Sequence, residues 1–316
     1  MVTLIIGKNS ILIVLLTCAL FWLTNMGCNT NLETHINALD STSQVPFPSH
    51  FPLTITDSSG QPITFAQPPE RIIVLDSASI EILFSINEGH RIVGTHSFVT
   101  YPDEVKTIPK VGNAFEINFE RIVELNPDLI FIFYDRFLSD LKRLGFNVLF
   151  LKSADLNLSD ISNQILLWGQ ITGNTPKAIE KAIEFNENLE AIENHLSTIT
   201  KGPTIYHHTE RFWTPGKNTL TDNIYKLLKA QNIASGTNHW HQISPEIIVA
   251  RDPQIIITTE VAKHDLTNNP AFSKLSAIRN NQVFTIEAEL VSIAGPRITE
   301  DIMVIAKHLY PDIFND

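Results

Sequence analysis

One pattern occurs twice in this chain, and it restricts the fold more than any other feature. FERIVELNPDLIFIF runs from Phe119 to Phe133, and SPEIIVARDPQIIIT runs from Ser244 to Thr258. Aligned on their prolines, Glu120 meets Glu246, Ile122 meets Ile248, Val123 meets Val249, Asn126 meets Asp252 and Pro127 meets Pro253. Each copy reads as a short amphipathic helix, a turn stopped by proline, and a β-branched apolar run suited to a buried parallel strand. A chain that carries this unit twice must supply two parallel sheets, or two halves of one.

The surrounding segments agree with two sheets. LTITDSSGQPITF, Leu53 to Phe65, alternates around a polar turn and predicts a hairpin. RIIVLD (Arg71–Asp76), RIVGT (Arg91–Thr95), DLIFIFY (Asp128–Tyr134) and NVLFL (Asn147–Leu151) read as strands. SASIEILFSI follows the first of them as a helix, with Ser77 as its predicted cap. Between the two repeats lies TPKAIEKAIEFNENLEAIENHLSTI, Thr175 to Ile199, which has no glycine and no internal proline. Pro176 suits the first turn of a helix, and apolar residues recur at spacings of three and four. The strand–helix alternation then resumes with TIYHH (Thr204–His208), a helix from about Leu220, the second repeat, QVFTI (Gln282–Ile286) and a last helix from about Pro296.

The predicted fold is α/β: two Rossmann-like parallel-sheet lobes joined by one long helix, with a ligand cleft between them. Residues 51–173 form the first lobe, 174–200 the linking helix and 201–316 the second lobe. At 316 residues the chain has the length for this.

The N-terminus follows other rules. Lys8 precedes ILIVLLTCALFWL, Ile11 to Leu23, an uncharged run of signal-peptide length and short for a membrane span. TNMGCN follows, and Gly27-Cys28 resembles a lipoprotein cleavage site that would leave Cys28 acylated. Asn25 departs from the aliphatic residue usual three positions before that cysteine. The alternatives are a plain secretory signal or an uncleaved anchor. Residues 1–27 are therefore the expected signal and residues 28–50, polar and without periodicity, a flexible tether. Cys18 and Cys28 are the two cysteines, so the body holds no thiol for a disulfide, a nucleophile or a zinc site. A formal net charge of −11 argues against nucleic acid as a partner.

The order of segments resembles a known family. The hairpin, PPERIIVLDSASIEIL, RIVGT, IPKVGN, NFERIVELNPDLI, the long helix, SPEIIVARDPQIII, LSAIRNNQVFTI and GPRITEDIMVIAKHLYPDIF follow one another as in the solute-binding proteins of ABC importers for cobalamin, ferric siderophores and haem. The resemblance covers roughly residues 53 to 314. It implies an extracytoplasmic monomer that captures a large metal chelate and delivers it to a permease dimer; acylation at Cys28 would hold that monomer to the membrane. It also implies that Glu120 and Glu246 dock on that dimer, because two equivalent basic pockets call for two equivalent carboxylates. No resident cofactor is implied; the metal arrives with the ligand. The plain alternative for each glutamate is a favourable charge in the first turn of its helix.

Aromatic side chains in polar loops are the candidate cleft lining, since their faces suit large, mostly planar ligands. Trp213 and Trp240 come from the second lobe, and Phe98, Tyr101, Phe115 and Tyr134 from the first. Phe84 and Trp168 read as ordinary core. Arg211 is the candidate ionic contact, with His208 and His241 as further contacts. His96, His207 and His239 are other imidazoles that could reach a chelated metal. Adjacent His207 and His208 point to opposite faces of an extended strand, so at most one of them reaches the cleft. A corrinoid is favoured, because no cluster of arginines awaits an anionic chelate. A ferric siderophore or haem is the alternative, and a free zinc or manganese ion a more distant one. No nucleophile elbow, Walker loop or HExxH pattern suggests an enzyme.

Overall fold

The computed structural model describes residues 50–113, 115–152, 157–287 and 290–314. The signal segment, Cys28 and the tether up to residue 49 lie outside them. Strands β1 (Leu53–Thr56) and β2 (Pro62–Phe65) form the predicted hairpin, with Leu53 opposite Phe65. Asp57 shapes its turn, accepting from the Ser59 N–H at 2.8 Å and the Gln61 N–H at 3.0 Å. Burial alone would raise this carboxyl, but the bonds from Ser59 and Gln61 hold it below its ordinary range.

The first sheet uses β3 (Ile72–Val74), α1 (Ser77–Ser85), β4 (Ile92–Thr95), α2 (Phe119–Leu125), β5 (Leu129–Ile132), α3 (Leu138–Arg143) and β6 (Val148–Phe150). Its order is β4-β3-β5-β6, every pair parallel. Asp76, and not Ser77, caps α1: its carboxylate accepts from the Ser79 N–H at 2.8 Å and the Ser79 hydroxyl at 2.6 Å. Ser77 is already the first helical residue, whereas Asp76 keeps the extended dihedrals (φ −144°, ψ 124°) that a capping residue adopts.

Two helices follow. α4 (Leu158–Thr172) ends at Gly173, whose φ of 81° is left-handed, and α5 (Thr175–His195) turns back along it. They approach so closely at Gly169 that a Cβ there would fall on the Ala178 methyl. The predicted helix to Ile199 stops early. After His195 the bonds tighten, with the Ser197 N–H on the Asn194 carbonyl and the Ile199 N–H on that of Leu196.

The second sheet uses β7 (Thr204–His208), β8 (Trp213–Pro215), α6 (Leu220–Leu227), β9 (Gln231–Asn232), β10 (Trp240–Gln242), α7 (Pro245–Arg251), β11 (Ile255–Thr258), α8 (Lys263–Thr267), α9 (Ser276–Arg279) and β12 (Val283–Thr285), with α10 (Ile298–Leu309) behind it. β12-β11-β7-β9 make the parallel sheet, and β8 pairs antiparallel with β10 as a separate ribbon. Taken in chain order within each sheet, both sheets read second, first, third, fourth. The repeated unit supplies the third strand of each.

Local chemistry explains why the unit recurs. Asn126 (φ 46°) and Asp252 (φ 38°) close α2 and α7 in the left-handed region, which Asn and Asp tolerate. Proline follows and forbids further helix. The next residue then fastens the first strand of its sheet. Asp128 accepts from the Glu70 and Arg71 N–H groups at 2.7 and 3.0 Å, and the Gln254 amide oxygen accepts from the Thr204 N–H at 2.9 Å.

Strand alternation sorts the core. Leu129 and Phe131 of β5 and Ile255 and Ile257 of β11 join one cluster with Ile165 and Trp168 of α4, Phe185 of α5 and Ile305 of α10. Ile130 and Ile132 face a second cluster against α2 and α3, and Ile256 a third against α7 and Phe272. Trp168 meets Phe131 edge-on at 5.1 Å. The central cluster therefore runs unbroken from one sheet to the other.

Candidate functional site

In an open α/β sheet a ligand crevice opens where the strand order reverses, beyond the carboxyl ends of the strands. For the first sheet that place is between β3 and β5. Asp76, Ser77 and Ala78 lie just beyond β3, Phe133 and Tyr134 just beyond β5, and His96 and Phe98 beyond neighbouring β4. Gln164 of α4 adds to this side. The facing wall comes from the second lobe: Asn218 to Leu220 entering α6, His239 and Trp240 at β10, and Ser292 to Ala294 ahead of α10. The chamber between them measures about 450 Å³, within the ordinary range for a small-molecule site.

Its chemistry is aromatic and largely uncharged. Asp76 is the one carboxylate among the described residues that line it; burial raises this group above the ordinary range against the bonds from Ser79. Burial and the charge of Lys110 push His96 down to about 4, so its imidazole is neutral. Its Nδ1 accepts the Phe98 N–H at 3.3 Å, which leaves the proton on Nε2, 3.4 Å from the Ser77 hydroxyl. Among the described residues no lysine or arginine lines the chamber.

Trp240 is braced from behind. The His207 ring meets the indole edge to face, with centroids 6.0 Å apart and planes at 89°. His207 is buried, and burial and neighbouring His208 depress it to about 3. Its Nδ1 lies 2.5 Å from the Tyr225 hydroxyl on α6. The entry to α6 is itself fixed by Thr219, whose hydroxyl donates to the Gly216 carbonyl at 2.8 Å and accepts the Asp222 N–H at 3.1 Å.

Of the aromatic residues singled out in the sequence, Trp240, Phe98 and Tyr134 line this chamber. Trp213 does not; it lines a separate groove on the second lobe. The register places Trp213 opposite Gln242 and Trp240 opposite Pro215, so both indoles share one face of the β8–β10 ribbon. Tyr101 lies away from the chamber with the Arg297 guanidinium 4.4 Å above its ring. Phe115 is 71% exposed and outside the lining. Arg211 is exposed and left-handed (φ 56°), its N–H on the Asp265 carboxylate at 3.2 Å, and it too is outside the lining.

His208 is fully buried: its Nδ1 lies 3.0 Å from the Tyr206 hydroxyl and its Nε2 3.2 Å from the Ala262 carbonyl. With both nitrogens satisfied inside the lobe, it is a core residue. His241 alternates with Trp240 on the ribbon and so faces the other way, with Nδ1 3.1 Å from the His239 carbonyl. The sequence offers His96 and His239 as imidazoles that could reach a metal; both line the chamber. Sequence reasoning misses Asp76, Ser77, Asn113, Gln164 and Asn218. The strand-end rule applied to LDSAS points to Asp76 and Ser77, whereas nothing in the sequence marks Gln164. Among the described residues no three His, Cys, Asp or Glu side chains gather in a way that could hold a metal ion.

Glu120 and Glu246 occupy the first turns of α2 and α7, both exposed. Its own backbone N–H and the Ser244 hydroxyl hold the Glu246 carboxyl below the ordinary range.

The model of the periplasmic binding protein family matches residues 72–290. The chain belongs to that family. Among curated members it is 29% identical over 278 residues to the uncharacterized ABC transporter substrate-binding lipoprotein YvrC of Bacillus subtilis, covering 84% of this chain and 88% of that one. It is 26% identical over 253 residues to the vitamin B12-binding protein of Vibrio parahaemolyticus, covering 77% and 90%. Of solved structures, the periplasmic vitamin B12 binding protein BtuF of Vibrio cholerae superimposes with a TM-score of 0.69 at 24% identity, over 77% of this chain and 98% of that one. That last likeness shows that the two-lobed periplasmic binding protein fold is shared.

Proposed function

We propose that this chain is the extracytoplasmic solute-binding component of an ABC importer, non-catalytic, and that its ligand is a large metal chelate, a corrinoid before a ferric siderophore or haem. The observation that carries this reading is the chamber lining: Trp240, Phe98, Phe133 and Tyr134 supply aromatic faces, Asn113, Gln164 and Asn218 supply amides, and among the described residues no lysine or arginine lines it. Such a lining suits a broad, amide-decorated macrocycle and offers no countercharge to carboxylates or catecholates. The names of the B12-binding relatives point the same way.

Glu120 and Glu246, equivalent in the two repeats, are the groups that dock on the two permease subunits in this reading. The segment ending at Cys28 exports the chain and holds it to the membrane by an acyl group. Cys28→Ser should release a soluble form with unchanged ligand affinity; equal membrane partition of mutant and parent would remove the anchor from the proposal.

Thermal-shift screening against cyanocobalamin, cobinamide, haemin and several ferric siderophores tests the ligand. A ligand that binds only the folded state raises the melting temperature with its occupancy, about 2.7 kcal/mol of stabilisation at a hundred times Kd. Stabilisation by a ferric catecholate and by no corrinoid would put the siderophore ahead of the corrinoid.

A further inference from the structure

One flank of the chamber is closed by a contact between the lobes. On α1, Glu81 stands one turn beyond Ala78 of the first-lobe wall; at the entrance of α10, Arg297 soon follows Ala294 of the facing wall. Glu81 and Arg297 meet at 3.2 Å, the carboxylate 3% exposed and the guanidinium 24%. Glu81 packs so closely on the backbone of Gly295 that no Cβ fits there. The lobes cannot part along this flank without breaking the pair. Behind it is a cavity of about 330 Å³, lined by Tyr101 of the first lobe, Phe185 of α5 and Thr299 of the second lobe.

Charge at the pair is out of balance. Asp76 caps α1, and Asp301, 8% exposed, follows Arg297 by one turn of α10, so three carboxylates crowd one guanidinium. That guanidinium also stands 4.4 Å from the centre of the Tyr101 ring. The other charges facing the pair line the cavity behind it: Glu104, Glu300, and Lys181 with Glu184, which bond each other at 2.6 Å. Lys181 is thus engaged by Glu184, and Glu300 adds to the repulsion on Asp301. Acids that outnumber their cation in a buried place hold a proton more readily. Burial raises Glu81 to about 7 and Asp301 to about 6, against the pull of Arg297.

We infer that Glu81 and Arg297 are a proton-set latch between the lobes: neutral Glu81 holds the chamber shut, and ionised Glu81 lets this flank part and the ligand leave. Neutral, the carboxyl still accepts a hydrogen bond from the guanidinium without the cost of a buried charge; ionised, it gains by returning to water. Opening hydrates Glu81 and takes it back towards 4.5, so the closed form binds the proton more tightly. Closing therefore takes up a proton and is favoured as pH falls from about 7 towards 4.5. The effect on the ligand rests on the reading of the chamber as a chelate site; the opening itself does not.

Two variants separate the proton from the contact. Glu81→Gln imitates the neutral latch, and Glu81→Ala removes it. Amide exchange of the ligand-free protein is compared with the parent's at one pH, first at about pH 5.5 and then at about pH 8, which cancels the intrinsic pH dependence of exchange. In α1 and residues 292–298, Glu81→Gln should be about three- to tenfold better protected than the parent at the higher pH and equal to it at the lower. Glu81→Ala should be less protected at both. Cyanocobalamin and ferrioxamine B, whose charge is constant across this interval, report release. Whichever binds should leave the parent about three- to tenfold more slowly at the lower pH, and leave Glu81→Gln at one rate throughout. A Glu81→Gln variant that keeps the parent's pH profile overturns the latch, since Asp76, Asp301 or His96 would then carry that profile. Failure of both probes to bind removes the chelate reading, while the exchange comparison still decides the latch.

Discussion

Glu81 of α1 and Arg297 at the entrance of α10 meet across the two lobes, carboxylate to guanidinium at 3.2 Å, although 216 positions separate them. Arg297 also caps the Tyr101 ring, and a Cβ at Gly295 would collide with the Glu81 carboxylate. The contact ties the helix that lines one wall of the chamber to the segment that lines the other.

This pair makes stability depend on pH. Burial raises Glu81 to about 7 despite the opposing pull of Arg297, and burial likewise raises Asp301, one turn into α10, to about 6. A raised carboxyl means that the folded state holds its proton more tightly than the unfolded state. For Glu81 that contribution is complete below the unfolded value of 4.5 and is lost as pH rises through about 7. The slope between those values is at most about 1.4 kcal/mol per pH unit for one group. Melting temperature should therefore fall over this interval, and fall less steeply in Glu81→Gln. Parallel curves for the two proteins would mean that Arg297 keeps Glu81 ionised throughout.

Trp240→Ala should weaken binding of the chelate found by screening by about ten- to hundredfold, the usual loss of 1–3 kcal/mol for a desolvated aromatic anchor. Titration by intrinsic fluorescence reads both the affinity and the loss of the quenched indole. Unchanged affinity with an intact fold would show that the ligand sits elsewhere.

His208→Phe should separate stability from binding. It leaves the Tyr206 hydroxyl and the Ala262 carbonyl without their partner, at a cost of about 1–3 kcal/mol in chemical denaturation. Ligand affinity should stay within about twofold of the parent, because this side chain lies inside the lobe. A large affinity loss without loss of stability would place His208 in the site after all.

The double variant Glu120→Ala, Glu246→Ala should abolish uptake in cells and leave solution affinity intact. Both groups stand on exposed helix starts, away from the residues lining the chamber. Loss of ligand binding in the purified variant would assign them a different role.

Gly169→Val places a branched side chain where α4 and α5 touch through Ala178. Overpacking of this kind costs about 1–3 kcal/mol, and a lower denaturation midpoint should show it. A neutral outcome would mean that the two helices can slide apart there.

Much of the scaffold is legible in the sequence because each element is set by neighbours a few residues away. The two repeats announce their strands through apolar runs after proline, and α5 announces itself through spacing. What the sequence does not reveal depends on which distant segments meet. Glu81 is one acid in an apolar helix until Arg297 arrives from the far end of the chain. His208 looks like a strand-end histidine, yet β7 is an interior strand covered on both faces, so its last residue is interior too. His207 reaches the chamber only indirectly, through the ring of Trp240. Tyr101 and Phe115 read as loop aromatics, and a loop's direction is decided by what it packs on. Polar residues such as Gln164 carry no local signal, since their place in the chamber follows from helix packing alone.

The central hydrophobic cluster, shared by both sheets and by the helices between them, has a calorimetric consequence. Topology divides the body into halves, but neither half can expose its inner strand face without stripping the other. Heat should therefore be absorbed in a single transition whose van't Hoff and calorimetric enthalpies agree. For the same reason, amides in β5 and β11 should exchange at a common, globally limited rate even though they belong to different sheets.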